Sequence, residues 1–88
     1  MIPDNAPQWL KDARTENADV TISQEGHVIW YDGEWYGGEW RDGEWRDGVW
    51  YGGEWRDGVW RGGFWLGGVW RGGVWFGGEW LGKIERPV

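Results

Sequence analysis

Residues 33–48 read GEWYGGEWRDGEWRDG, and the Trp in this stretch recurs at every fifth position. The same spacing runs without interruption from Trp30 to Trp80. Five residues advance an α-helix by about 500°, so successive Trp would point to different sides of a helix. In a flat strand side chains alternate between two faces, so an odd period fails there as well. The chain must therefore turn between one Trp and the next.

Each repeat contains a suitable turn, an Asp-Gly or Gly-Gly pair such as Asp32-Gly33 or Gly37-Gly38. Gly adopts the positive φ of tight turns at no steric cost, whereas it costs a helix about 1 kcal/mol. A short strand followed by a turn, repeated at constant length, describes a chain that coils and stacks on itself. We therefore predict an all-β fold, a β-solenoid of stacked five-residue repeats.

The repeated Trp are the natural core of such a solenoid. Burying about 200 Å² of indole at about 25 cal/mol/Å² stabilises the fold by about 5 kcal/mol for each Trp. Few other residues in the repeats could supply this hydrophobic stabilisation. The Gly two positions before most Trp would share the inward face and leave room for the indole. We predict a core ladder made of Trp30, Trp35, Trp40, Trp45, Trp50, Trp55, Trp60, Trp65, Trp70, Trp75 and Trp80. The alternative is that the indoles are exposed as a ligand platform.

The unit Gly33-Glu34-Trp35-Tyr36-Gly37 resembles the repeat of the bacterial pentapeptide-repeat proteins, which has a small residue, a polar residue and a large apolar centre. Gly stands here for the family's usual Ala, and Trp for its usual Leu or Phe. The resemblance covers about residues 28–82 and implies a right-handed, four-sided β-solenoid with twenty residues per coil. A weaker local resemblance, carried by residues 31–35 and 36–40, is to MORN repeats, whose strands contain Tyr-x-Gly-Glu-Trp.

A longer repeat within the chain favours three sides instead of four. The sequence YGGEWRDG occupies residues 36–43 and again residues 51–58, fifteen positions later, and residues 66–73 continue this spacing. If the duplicated unit is one coil, identical residues of successive coils stack on each other. One ladder then consists of Trp35, Trp50, Trp65 and Trp80. On the sequence alone, three and four repeats per coil both remain open.

The outward positions of the repeats change character along the chain. They are rich in Glu and Arg in the first half and largely apolar from about Val59 to Phe76. Exposed apolar residues on a small solenoid indicate a protein-binding or self-association surface, although Val and Phe also favour strands. The candidate interface consists of Val59, Phe64, Leu66, Val69, Val74, Phe76 and Leu81.

The flanks differ from the repeats and are predicted to cap them. Residues 1–27 form an N-terminal cap segment, residues 28–82 the solenoid and residues 83–88 a C-terminal tail. We expect a short helix in residues 5–13, with Asn5 as its N-cap, whose Trp9 and Leu10 cover the first coil. A strand pair is expected around residues 24–26. The tail is too short for a full lid, which is a second reason to expect a homo-oligomer.

Composition narrows the functional classes. A net charge of −6 disfavours binding to nucleic acid or anionic membranes. The start lacks a signal-peptide pattern and no apolar run is long enough to span a bilayer, so we expect a cytoplasmic protein. The chain has no Cys and only His27 and Ser23 as candidates for a base and a nucleophile, so we expect neither an enzyme nor a metal or cofactor site.

The repeated Asp do not change this expectation. Each stands before a turn Gly, where its side chain can bond the local backbone, and the spacing matches neither an EF-hand loop nor the glycine-aspartate nonapeptide. The predicted function is a non-catalytic structural or protein-interaction module that binds a protein partner or itself. One alternative, implied by the pentapeptide-repeat resemblance, is a DNA mimic that inhibits a nucleic-acid enzyme. The other is a glycan-binding module that uses exposed Trp.

Overall fold

The computed structural model describes residues 2–82 and contains one short helix, α1 (Gln8–Lys11), followed by strands. Two strands are long and nine contain two residues each. The strands are β1 (Arg14–Ile22), β2 (Val28–Gly37), β3 (Glu39–Trp40), β4 (Glu44–Trp45), β5 (Val49–Trp50), β6 (Glu54–Trp55), β7 (Val59–Trp60), β8 (Phe64–Trp65), β9 (Val69–Trp70), β10 (Val74–Trp75) and β11 (Glu79–Trp80). The predicted all-β solenoid with a short N-terminal helix is confirmed.

The solenoid has three sides. Each strand from β3 to β8 pairs in parallel with the strand fifteen residues further on, so that Trp45 lies beside Trp60 and Trp50 beside Trp65. We call the side that carries Trp30 face 1, the side that carries Trp35 face 2 and the side that carries Trp40 face 3. The expected ladder of Trp35, Trp50, Trp65 and Trp80 is present on face 2.

The four-sided coil of twenty residues that the pentapeptide-repeat resemblance implied is therefore wrong. The size of the indole explains the difference. Trp45, Trp50 and Trp55 meet edge to face in one coil, with successive ring centroids 5.8 Å apart. Three such rings fill the cross-section, whereas a fourth side would enlarge the interior beyond what indoles in contact can fill.

The indoles form three continuous stacks along the axis. Within each stack, rings from successive coils are nearly parallel, as between Trp45 and Trp60, whose centroids are 4.9 Å apart. The eight Trp from Trp30 to Trp65 are fully buried. Their Nε1 groups have no hydrogen-bond partner among residues 2–82, and edge-to-face packing directs ring edges at neighbouring π faces, which attract N–H groups weakly.

The corners depend on the second residue of each Asp-Gly or Gly-Gly pair. Gly53 has φ 107°, and a Cβ placed on it would lie 3.2 Å from Trp35 Nε1 and inside the contact distance of the Gly38 carbonyl oxygen. At the first residue, Gly52, the nearest atom to such a Cβ is 3.6 Å away. Room for the indole, which we expected to explain these glycines, is thus a lesser reason than positive φ and the close approach of the preceding coil.

The N-terminal end of the solenoid is covered on all three faces. β1 runs antiparallel to β2 and covers the first strands of faces 1 and 2, and residues 23–27 form the turn between them. On face 3, α1 packs on β3 and the Trp9 ring meets Trp40 edge to face at 5.2 Å. Leu10 is fully buried.

The helix is shorter than the sequence suggested. Pro7, not Asn5, occupies the N-cap position, and no side chain caps the helix. The φ of Pro7 is −65° with extended ψ, so the chain enters the helix directly after it, and a single turn suffices to place Trp9 and Leu10 on the first coil. Among residues 2–82 no helix is long and apolar enough to cross a membrane.

The C-terminal end differs from the N-terminal end. β9, β10 and β11 each lie at the end of their row of paired strands, so within residues 2–82 each has a neighbour on one side only. Trp70, Trp75 and Trp80 are partly buried, unlike the eight Trp that precede them. The predicted tail, residues 83–88, lies outside the described residues.

Candidate interaction surface

The structure distributes the candidate interface residues over three faces. Phe64, Leu66 and Leu81 lie on face 2. The other candidates lie elsewhere: Val59, Val74 and Phe76 belong to face 1, and Val69 belongs to face 3. The apolar residues between Val59 and Phe76 therefore do not form one surface of the solenoid, because consecutive repeats lie on different faces.

A different apolar surface emerges when residues fifteen positions apart are brought together. The residues on either side of each inward Trp point outward, because side chains alternate along a strand. On face 2 six of these eight outward residues are apolar or aromatic, and we call them the apolar face: Tyr36, Val49, Tyr51, Phe64, Leu66 and Leu81. Phe64 is 47% exposed and Leu81 is 56% exposed.

The apolar face carries charge only at its two ends. Glu34 lies at the N-terminal end, where its Oε1 accepts a hydrogen bond of 2.8 Å from Asn17 Nδ2, and Glu79 lies at the other end. The first turn residue on this face is Gly in every coil, at positions 37, 52, 67 and 82, whereas Asp occurs there on faces 1 and 3. The result is a flat surface without charged side chains between its ends.

Two tyrosines form part of this surface as a stacked pair. The rings of Tyr36 and Tyr51 are 4.8 Å apart and nearly parallel. The pKa of the Tyr36 hydroxyl is raised, first by partial desolvation and then by the nearby Glu16 carboxylate. Because the rings cover each other, the pair presents mainly ring edges and hydroxyl groups to the solvent. A shallow groove lined by residues 13–16 continues the surface beyond Tyr36.

Faces 1 and 3 carry glutamate and arginine side chains that pair with one another. On face 3 the Glu39 carboxylate accepts from Arg41 Nε at 2.6 Å and also from Arg56 of the next coil, and Glu54 pairs in turn with Arg56 and Arg71. Hydrogen bonds from Arg56, and then from Arg41, lower the pKa of Glu39 to about 2. Each carboxylate therefore bridges two coils.

Face 1 combines one such bridge with two cation–π contacts. Glu44 pairs with Arg46 and with Arg61 of the next coil, and the hydrogen bond from Arg61 is the main reason that the pKa of Glu44 is lowered. The Arg46 guanidinium lies 5.3 Å from the Tyr31 ring centroid, and Arg61 lies at the same distance from the Phe76 ring. The five arginines of the repeats thus all belong to faces 1 and 3.

The two reactive side chains named above, Ser23 and His27, lie in the turn between β1 and β2 and line the same pocket. His27 is exposed, and its backbone N–H donates to the Ser23 hydroxyl at 3.0 Å. Each Asp of the turns accepts a hydrogen bond from the N–H of the Gly that follows it, as Asp57 does from Gly58 at 2.9 Å, so the expected use of these side chains in the turns is confirmed. Residues 2–82 contain no group of His, Asp and Glu arranged to hold a metal ion.

Sequence reasoning missed Tyr36, Val49 and Tyr51 as members of the surface. The signal was present, since positions 36, 51, 66 and 81 follow the offset of fifteen that suggested a three-sided coil. Comparison with protein-family models, curated proteins and solved structures gave no match. The pentapeptide-repeat and MORN resemblances therefore remain predictions, while the solenoid with coils of about fifteen residues is established.

Proposed function

We propose that the protein is a non-catalytic interaction module, a rigid solenoid that uses the apolar face to bind a second copy of itself side to side. The observation that supports this most directly is the contrast between the three faces. Faces 1 and 3 carry Glu and Arg side chains that pair with one another beside their apolar residues, whereas face 2 carries no charged outward side chain between Glu34 and Glu79. Exposed apolar patches that are bordered by polar residues mark association sites.

A second copy is the partner that fits this surface best. Both copies would present side chains with the same spacing between coils, so two apolar faces can interdigitate as facing sheets do at about 10 Å. Like charges meet only at the ends, where Glu34 and Glu79 remain at the rim and in contact with solvent. The rigid Trp core also lowers the entropy cost of binding, because the face is already ordered.

The size of the face predicts a weak dimer. Four coils at about 4.8 Å and five residues per side at about 3.3 Å give about 19 by 16 Å, or about 300 Å² per copy. A standard stable interface buries about 800 Å² per partner. We therefore expect a reversible dimer with a dissociation constant weaker than micromolar.

Matched substitutions test the proposal. Phe64 and Val69 both precede a Trp in the same coil and are 47% and 46% exposed, but only Phe64 belongs to the apolar face. In sedimentation velocity across a wide concentration range, Phe64→Lys should weaken the dimer at least about tenfold, while Val69→Lys should leave it unchanged. A wild-type protein that stays monomeric at the highest concentrations, or equal effects of the two variants, would refute the proposal.

Two other functions receive less support. A glycan platform needs indole faces open to the ligand, and the eight Trp from Trp30 to Trp65 are fully buried. A DNA mimic needs a continuous anionic surface, and the carboxylates of Glu39, Glu44 and Glu54 are each paired with arginine.

A further inference from the structure

The indoles of this chain form one continuous network of aromatic rings. Within each stack neighbouring ring centroids are 4.6 to 5.1 Å apart, and edge-to-face contacts of 5.5 to 6.5 Å join the three stacks to one another. Trp9 joins the network at 5.2 Å from Trp40. Electrons tunnel rapidly between aromatic rings that are this close, so a missing electron, or hole, on one indole is not confined to that indole.

The interior of the network favours movement of a hole over its trapping. An indole that loses an electron becomes a radical cation, which is normally trapped when Nε1 gives its proton to a base. Every indole of the face 1 stack has a buried Nε1 without a hydrogen-bond partner among residues 2–82: Trp30, Trp45, Trp60 and Trp75. The radical cation therefore keeps its proton, and the π faces of its neighbours attract its charge. The hole moves on because each step exchanges one indole for an identical one.

The three tyrosines of the chain provide the exit from the core. Each directly follows a Trp in the sequence and is between 37% and 43% exposed, so its hydroxyl can release a proton to water. An uncompensated charge in an apolar core is costly, whereas a tyrosyl radical at the surface is neutral. The hole is therefore drawn from the indoles to the tyrosines.

The surroundings of the tyrosines favour Tyr36 and Tyr51 over Tyr31. The Arg46 guanidinium lies 5.3 Å from the Tyr31 ring centroid, and its positive charge opposes the loss of an electron from that ring. The rings of Tyr36 and Tyr51 are stacked at 4.8 Å and can share a hole. Desolvation and then the Glu16 carboxylate raise the pKa of Tyr36, and the negative charge of that carboxylate also favours the loss of an electron nearby.

The geometry points to an electron-transfer function for the core: a one-electron oxidant takes an electron from an indole, the hole moves through the Trp stacks, and it ends on the Tyr36–Tyr51 pair. The oxidant gains the electron and the tyrosine hydroxyl releases its proton to water. A soluble thiol or ascorbate then gives a hydrogen atom to the tyrosyl radical and restores the phenol. Only O–H and donor–hydrogen bonds break or form, so the indoles that hold the fold together are preserved. This relay lies within one molecule and goes beyond the proposed side-to-side function.

A photo-oxidant attached far from the tyrosine pair tests the relay in the full chain. The chain has no Cys, so Val74→Cys gives a single thiol at a position that is 49% exposed, next to Trp75 and on a different face from the pair. A ruthenium polypyridyl complex on this thiol, excited by a flash, loses an electron to a cobalt(III) ammine and then oxidises Trp75. Transient absorption should show a Trp radical cation followed by a tyrosyl radical, at a rate independent of protein concentration. A Trp radical that decays without forming a tyrosyl radical would overturn the inference.

Substitution of the tyrosines tests the exit. Tyr36→Phe with Tyr51→Phe should abolish the tyrosyl signal and prolong the Trp signal. Tyr31→Phe is the matched control, because Tyr31 also follows a Trp and is similarly exposed, and it should leave both signals unchanged. A tyrosyl signal that survives in the double variant, or that disappears in Tyr31→Phe, would contradict the assignment of the exit.

Fluorinated tryptophan tests the route without disturbing the fold. Tryptophan fluorinated on its benzene ring keeps nearly the shape of Trp but is harder to oxidise, and it can replace every Trp of the labelled protein during expression. Near-UV circular dichroism checks that the indole stacks are intact. Formation of the tyrosyl radical should then be lost or strongly reduced. Unchanged formation would show that the label oxidises tyrosine directly, without the indoles, and would overturn the inference.

Discussion

Substitution of Gly53 by Ala tests the central claim about the corners. The residue has φ 107°, and its missing side chain points at the preceding coil. A Cβ there would lie 3.1 Å from Gly38 N and less than 3.0 Å from the Gly38 carbonyl oxygen. That oxygen accepts the Glu54 N–H at 2.9 Å, so the substitution attacks a hydrogen bond that joins two coils.

The expected loss of stability follows from these contacts. A positive φ costs an L-residue about 1–2 kcal/mol, and displacing the Gly38 oxygen from the Glu54 N–H costs about 1–3 kcal/mol more. We expect Gly53→Ala to lower the free energy of unfolding by about 2–5 kcal/mol, a large share of the total for a chain of this size. The midpoint of thermal unfolding should fall by at least about 8 °C.

Gly52 is the matched control because it is the adjacent residue and has the same chemistry. A Cβ at Gly52 would meet nothing closer than Tyr36 O at 3.6 Å, and Asp occupies the equivalent position in other repeats. Gly52→Ala should be neutral or stabilise the protein by up to about 1 kcal/mol through the unfolded chain. Guanidinium unfolding followed by Trp fluorescence measures both variants, and equal stability of the two would contradict the proposed coil geometry.

Three further results are expected. Trp emission should be shifted to the blue and resist iodide for most of the signal, whereas emission near that of free indole would mean that the stacks are open. Trp50→Leu should lower the free energy of unfolding by about 3–5 kcal/mol, because Trp50 is fully buried between two stacked indoles. Trp80→Leu should lower it clearly less, because Trp80 is partly buried and stacks on Trp65 alone within residues 2–82. Equal losses of stability in guanidinium unfolding would argue against the stacks as the source of stability. Hydrogen bonds from arginine lower the folded-state pKa of Glu39 to about 2 from its usual value of 4.5, so its contribution to stability is present above pH 4.5 and is lost as the pH falls toward 2. The midpoint of thermal unfolding should therefore fall over this pH range, and Glu39→Gln should make the fall smaller. An unchanged slope in Glu39→Gln would show that the carboxylate is not bridged in solution.

Features set by interactions within one repeat could be predicted from the sequence, whereas features set by contacts between distant parts of the chain could be predicted less well. The inward direction of the Trp and the turns at the Asp-Gly and Gly-Gly pairs are local properties, decided within one repeat by strand alternation and by the φ that Gly permits. The length of α1 was less predictable, because Pro7 and packing on the first coil, not capping by Asn5, set its start.

By itself the sequence determined that this chain is a Trp-cored β-solenoid with Gly corners and a different segment at its N-terminus. Only the tertiary structure decided that the coil has three sides, because that number depends on how many indoles fill one cross-section. The tertiary structure also decided that Tyr36, Tyr51, Leu66 and Leu81 share one face while Val69 and Val74 lie on others. A surface of a solenoid gathers residues one coil apart, so its composition follows from the coil length and cannot be seen in consecutive residues.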